Sequence, residues 1–410
     1  MKYRRSSLVV GTLCTTLAAG RALAQATNAS TATPPVKVAS AADTTAKAAT
    51  APDTAAKPGT AAAAATPPSF LTDLQVNTFA SFGYNYNTNT PTSRLSSYRV
   101  FDSDDNTFNV DVAELVVQKP IAKPGDAGFR VDLEVGGAIP EKEQSYGLSV
   151  GRSADLQQAF LSYIAPLGSG MRLDFGKFVT HMGTEVIEGY DGFNDNYTRS
   201  FLFNYAIPFT HTGVKASYAL NSAVSAMVMV VNGWDNAKDN NRSKSVGAQV
   251  VLVPVAPLTV YLNYIGGPEK ADTNAYVRNM YDLVANWKVL SNLSVGVNAD
   301  YGKETGASLL TPGADAIWKG IAGYTRLDVT SRFAMALRAE TFHDEGGTRL
   351  GLTTPGTVGE FTVTPTYKLS DRFLVRSDVR FDSANSPLFV KNSGHSDKQT
   401  TISTNLIFVY

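Results

Sequence analysis

The chain is expected to fold as a transmembrane antiparallel up-and-down β-barrel of about sixteen strands. Three observations predict it. Apolar and polar residues alternate with period two from about Leu71 onward. The connections between the alternating segments are short and long by turns. The last segment places Ile402, Leu406, Phe408 and Tyr410 on one face and Thr401, Ser403 and Asn405 on the other. In lipid no backbone amide can stay unpaired, so a sheet spans a membrane only by closing on itself.

Residues 1–24 read as a signal peptide. Lys2, Arg4 and Arg5 precede a short apolar run from Leu8 to Ala19, and Ala22-Leu23-Ala24 before Gln25 is an A-x-A cleavage site. The single cysteine, Cys14, falls inside this segment, so the mature chain is expected to hold no thiol and no disulfide. Removal of the segment takes four basic residues and no acid from a chain with 36 of each, which leaves a net charge of −4. That balance excludes a nucleic-acid footprint. No run of about 18 apolar residues occurs, which excludes helical spans but not a barrel, whose strands turn only every second residue to lipid.

Residues 25–67 are nearly all Ala, Thr, Pro, Lys, Asp and Ser, a composition too poor in large apolar groups to order itself. They are expected to form a disordered linker in the periplasm and to be unable to form the plug domain of a gated transporter. The barrel is assigned to 68–410.

Sixteen segments carry the alternation: 74–87, 107–119, 128–138, 154–165, 170–178, 212–220, 223–233, 244–253, 257–265, 279–289, 292–302, 315–327, 331–341, 358–369, 372–383 and 398–410. A tilted strand needs about 9–11 residues to cross the hydrocarbon layer. Connections after even strands are short, such as Asn221-Ser222, Leu290-Ser291 and Ser370-Asp371; those after odd strands are long. Short periplasmic turns and long outer loops are the rule for such barrels, and an even count puts both termini in the periplasm.

The charged face must look into water. Phe373, Val375, Val379 and Phe381 share one face of strand fifteen, and Arg376, Asp378 and Arg380 the other. Arg338 and Glu340, and Arg130, Asp132 and Glu134, repeat the arrangement in strands thirteen and three. An arginine on the lipid face at mid-depth costs roughly 2–4 kcal/mol, so these groups line the lumen. Sixteen strands enclose a bore that wall side chains alone do not fill. The pore wall is therefore expected to include Arg130, Arg172, Lys215, Arg338, Arg376 and Arg380. Rings near strand ends, among them Tyr86, Tyr163, Tyr281, Tyr301, Tyr324, Tyr367 and Phe381, are candidates for interfacial girdles. Phe408 and Tyr410 form the aromatic signature of a final strand, expected to be read by the barrel-assembly machinery.

The connection 179–211 is the longest, about 33 residues against 10–19 elsewhere, and it is rich in acids and rings. A loop so long and so apolar is neither disordered nor stable in water, so it is expected to fold into the barrel and narrow it. Glu185, Glu188, Asp191, Asp195 and Arg199 are the candidate constriction residues, facing the wall cations across the bore. His181, Glu185 and His211 lack the tight spacing of a metal site, and no metal is assigned.

Gly176-Lys177-Phe178-Val179-Thr180, Glu185-Val186-Ile187-Glu188, Asn196 to Phe203 and Ile207-Pro208-Phe209-Thr210-His211-Thr212-Gly213 resemble the OmpL-like beta-barrel porin family. Val230-Val231-Asn232-Gly233-Trp234-Asp235-Asn236 continues the resemblance. It implies a porin of the Gram-negative outer membrane, and the wet, ionic bore is expected to pass small hydrophilic solutes or ions passively. No cofactor is expected. The partners are outer-membrane lipid and the transported solutes, and a homotrimer is compatible with the barrel's size. The alternative is a receptor or adhesin barrel whose outer loops bind a ligand. An enzyme is not expected: no G-x-S-x-G, HExxH, P-loop or dinucleotide motif occurs.

Overall fold

The computed structural model describes residues 73–140 and 154–410. The signal segment 1–24, the linker 25–67, residues 68–72 and residues 141–153 of the second long loop lie outside the described residues. The strands are β1 (Gln75–Asn87), β2 (Thr107–Lys119), β3 (Ala127–Val135), β4 (Ala154–Ala165), β5 (Met171–Val179), β6 (Thr210–Ala219), β7 (Val224–Val231), β8 (Ser245–Val255) and β9 (Leu258–Pro268). They continue with β10 (Val277–Leu290), β11 (Leu293–Glu304), β12 (Ala316–Asp328), β13 (Phe333–Asp344), β14 (Gly356–Ser370), β15 (Phe373–Ala384), the short pair β16 (Phe389–Lys391) and β17 (Gly394–Ser396), and β18 (Lys398–Val409).

Among the described residues, β1–β15 and β18 form one closed barrel in which each strand pairs with its sequence neighbour and β1 pairs with β18. The closing seam is antiparallel, with Phe82 opposite Leu406 and Asn85 opposite Ser403. Closure leaves no edge, the condition lipid imposes. Strand bounds differ from the alternation by no more than three residues. β3 stops at Val135, where Gly136-Gly137 leave the sheet. The hairpin β16–β17 sits inside the last long loop and is too short to show as alternation.

The two faces separate as the side-chain period requires. Phe82, Leu161, Phe175, Val228, Ile321 and Leu406 are exposed on the outside. Tyr163, Trp287, Tyr367 and Phe408 lie outward near the short-turn end, and Tyr86, Phe108, Tyr281, Tyr301 and Phe381 outward near the long-loop end. These make the two girdles. Tyr324 instead turns inward and packs on the interior cluster.

The main apolar core lies inside the bore. Phe201, Leu202, Phe203, Ile207 and Phe209 of the long segment between β5 and β6 pack with Phe101, Trp234, Leu350 and Phe389 of other long loops and with Trp318 and Phe342 of the wall. Residues 202–206 of that segment form one π-helical turn. Apolar area that would be exposed on a free loop is thus removed from water, at roughly 25 cal/mol per Å².

Candidate functional site

The segment between β5 and β6 crosses the bore and is bonded to its walls on several sides. Its first part is held by β8, β10 and β11: Gln249 donates to the His181 carbonyl at 3.1 Å, Gly183 N–H to Asp282 at 3.1 Å, and Thr184 N–H to Asn298 at 3.1 Å. Its middle reaches β2, where Tyr190 N–H donates to Glu114 at 2.6 Å. Its last part lies on β13–β15. Thr198 donates to Asp378 at 2.8 Å from both N–H and Oγ1, and Glu340 accepts from the Phe201 N–H and, at 3.0 Å, from Leu202 N–H. Asn194 folds the segment back on itself, exchanging 2.9 Å bonds with Val186 N–H and carbonyl. These bonds satisfy backbone groups that an irregular segment in a low-dielectric interior cannot leave bare.

Ion pairs complete the attachment. Glu185 lies 2.5 Å from Arg338, and Glu188 2.7 Å from Arg376. Asp191 meets Arg130 at 2.8 Å and Asp195 meets Arg326 at 2.5 Å. Arg199 lies 3.4 Å from Glu188 and donates to the carbonyl of Tyr197. Arg338, Arg376 and Arg380 are at most 1% exposed, so the bore's strongest cation cluster is covered rather than wet.

The sequence-derived wall residues thus divide. Arg130, Arg338 and Arg376 meet loop acids. Arg380 instead pairs with Asp382 at 2.6 Å and donates to the Arg199 carbonyl, with its guanidinium 4.7 Å from the Phe201 ring centroid. Among the described residues, Arg172 and Lys215 pair with no acid of the inward segment. Both turn to Asp174, at 2.9 and 3.7 Å, because Asp174 is two residues from Arg172 and directly opposite Lys215 in the β5–β6 register. Glu185, engaged by Arg338 and by Ser200, is not joined to His181 and His211, whose ring centroids are 6.0 Å apart.

Several participants carry no plain mark in the sequence. Arg326 supplies the partner of Asp195. In the first long loop, Arg99 reaches Asp382 on β15 at 2.7 Å and Asp102 at 3.0 Å. Phe101, beside it, stacks on Phe209 and Phe203 with centroids 5.2 and 5.6 Å away. A second loop therefore folds into the bore and rests on the first. On β2, Asp111 accepts from Tyr197 Oη at 3.1 Å.

Among the described residues, cavities lie around the inward segment. One of about 280 Å³ opens at the short-turn end beside β9–β12, with Asp195 and Arg326 in its wall. One of about 220 Å³ opens at the same end beside β2–β7, lined by Arg130, Arg172, Asp174, Asp191 and Lys215. Between the segment and β1–β3 lies a gap of about 20 Å³, bordered by Asp102, Asp111, Glu188, Tyr197 and Arg199.

A closed sixteen-stranded barrel, apolar outside, ionic inside and crossed by its longest loop, has the architecture of a porin. Solved structures share the fold. The outer membrane channel DcaP of Acinetobacter baumannii superposes with TM-score 0.57 at 11% identity over 82% of this chain and 97% of that one. The anion-selective porin from Comamonas acidovorans gives 0.56 at 11% over 82% and 99%, and the trimer form of OmpT from Vibrio cholerae 0.52 at 10% over 82% and 99%. At such identities these likenesses speak for the fold alone. No curated protein matches the chain by sequence. The profile of the family described as "Putative beta-barrel porin-2, OmpL-like" matches residues 73–410, and the chain belongs to that family. It is an outer-membrane porin.

Proposed function

We propose that the protein passes small hydrophilic solutes or ions passively through a barrel whose cross-section is set by the inward segment Thr180–Phe209. The observation that carries this reading is the bonding of that segment to walls on several sides of the bore, through Glu185–Arg338, Glu188–Arg376 and Asp191–Arg130. Glu185, Glu188, Asp191, Asp195 and Arg199 act in it as fasteners of the constriction. The role is transport rather than catalysis, and needs no energy coupling. The short-turn end, with both chain ends, faces the periplasm, as the loop-length rule for such barrels supports. Phe408, outward on β18, and Tyr410, whose ring lies 4.5 Å from the Arg372 guanidinium, serve barrel assembly. A homotrimer is supported by the fold shared with the trimeric OmpT form.

Planar-bilayer recording tests the reading. Purified protein is expected to insert in stable ohmic steps, and trypsin-resistant barrel lacking the inward segment is expected to give larger ones. Silence in the bilayer together with tight binding of a ligand by the outer loops would favour a receptor barrel instead.

A further inference from the structure

We propose that the gap between the inward segment and β1–β3 is the narrowest point of the path, and that it selects small monovalent cations, alkali-metal or ammonium-sized, over anions. This rests on the pore reading above and adds to it where the selectivity resides.

The charge distribution argues for it. On the β13–β15 side the arginines are buried and matched: Arg338 with Glu185 and Glu360, Arg376 with Glu188, Arg380 with Asp382. They present no field to a solute. On the β2 side the gap's carboxylate is held by neutral donors. Asp111 accepts from Tyr197 Oη at 3.1 Å, Asn405 Nδ2 at 3.1 Å and Ser81 Oγ at 3.4 Å; among the described residues no arginine or lysine bonds it. Asp102 comes down from the first long loop. Its Oδ2 takes Arg99, while its Oδ1 is buried in the gap wall without a partner among the described residues. The cation in the lining, Arg199, lies 3.4 Å from Glu188, whose charge Arg376 already takes, and the carboxylates of Asp102, Asp111 and Glu134 in the same lining outnumber it. The gap therefore carries net negative charge on two sides.

Size sharpens the argument. About 20 Å³ holds roughly one water, so an ion in the gap sheds much of its shell and takes protein oxygens in exchange. Asp102, Asp111 and Tyr197 offer oxygens there, which suit a cation and repel an anion. The apolar remainder, Phe101, Val112 and Ile139, keeps the local dielectric low and makes each charge count for more.

The test is the reversal potential in a potassium chloride gradient across a planar bilayer, on the full-length mature protein. Wild type is expected to reverse toward the potassium potential. Asp111→Asn and, on the other side of the gap, Asp102→Asn are each expected to lower the potassium-to-chloride permeability ratio by about fivefold or more, fivefold being the weight of one charge at contact in water and the floor for this drier gap. Asp315→Asn, in the loop between β11 and β12 and paired with Lys303 away from the inward segment, is expected to leave the ratio within twofold of wild type, about the difference that one well-screened charge makes. The shift of a heat-modifiable band on gels shows that each variant is folded. If Asp111→Asn does not fold, Asp102→Asn decides alone. Ohmic steps that reverse toward chloride, or a ratio unmoved by both substitutions, would overturn the proposal while leaving the pore reading intact. No conductance from folded wild type would sink both.

Discussion

Both carboxylate oxygens of Glu188 lie 2.7 Å from the same guanidinium nitrogen, Nη2, of Arg376. The pair is all but fully buried, at 3% and 1% side-chain exposure. Arg376 also donates to the Asn194 and Asn196 carbonyls, so one wall arginine organises the turn of the inward segment from both of its limbs. Acids that look on paper like the negative half of a transverse field are here structural. Removing one partner of a buried pair strands the other, at about 3–5 kcal/mol.

Glu188→Gln is accordingly expected to loosen the segment rather than to alter ion preference. Limited proteolysis should find new cleavage between residues 180 and 209, and single channels should become larger and noisier. Unchanged protection together with a large shift of reversal potential would show that Glu188 faces the permeating ion.

Phe101 gives the first long loop its hold on the segment beneath. Its ring is 8% exposed and meets Phe203 and Phe209. Phe101→Ala removes a buried aromatic, a loss of about 3–5 kcal/mol where the site cannot collapse. The loss falls on loop packing, since Phe101 is outside the barrel strands. Conductance should rise while the barrel's thermal midpoint changes little. A fall in the midpoint with conductance unchanged would place the ring in the barrel's own stability instead.

The barrel was legible because its solvent writes a period-two code: Arg376, Asp378 and Arg380 cannot share a face with Phe381. Even the inward path of the 179–211 connection follows from its excess of rings. Individual roles inside the bore were less legible, and β2 shows why. Asp111 and Glu114 differ in parity and would fall on opposite faces of a regular strand. A register shift opposite Ser81 and Phe82 inserts one residue and turns both acids inward. Two acids three apart in an alternating strand were the only local sign of it. Arg172 and Lys215 mislead for the reverse reason. A cross-strand neighbour, Asp174, outcompetes any loop acid by proximity, and register is a property of the folded sheet. The role of Arg99 depends on a contact 283 residues away, beyond any local pattern.

His181, the second residue after β5, provides a pH test. Burial pushes its imidazole down to about 3, with the His211 ring and Lys215 adding to the effect. The Nε2 faces the Tyr264 carbonyl at 3.2 Å, which fixes the neutral tautomer with its hydrogen there. A group with a depressed folded pKa is at full stability above its unfolded value of about 6.5 and loses it as pH falls toward the folded value. For a histidine the charged form is the one excluded, so acid favours release of the segment's first part. Protease sensitivity of 180–209 is expected to grow from pH 7 to pH 4.5 in wild type. His181→Gln, which keeps a donor for Tyr264, should show a smaller rise, the remainder coming from carboxylates. Equal rises in both proteins would remove His181 from the account.

Gly83 on β1 is needed for space rather than for backbone freedom. A Cβ there would fall on Tyr197 Oη and within 2.5 Å of Asp111 Oδ2. The missing side chain is what lets the phenol of the inward segment reach the wall carboxylate. Gly83→Ala should therefore overpack the contact, costing about 1–3 kcal/mol, and break the 3.1 Å bond between Tyr197 and Asp111. Tyr197→Phe alone loses a hydrogen bond, about 0.5–1.5 kcal/mol. The double variant has no hydroxyl for the new methyl to strike, so the two losses should sum to more than the double variant shows, the mark of coupled sites in a double-mutant cycle. The thermal midpoint at which the folded, fast-migrating band disappears reads all four corners of the cycle. Strict additivity would mean that the phenol does not approach Gly83 in the membrane.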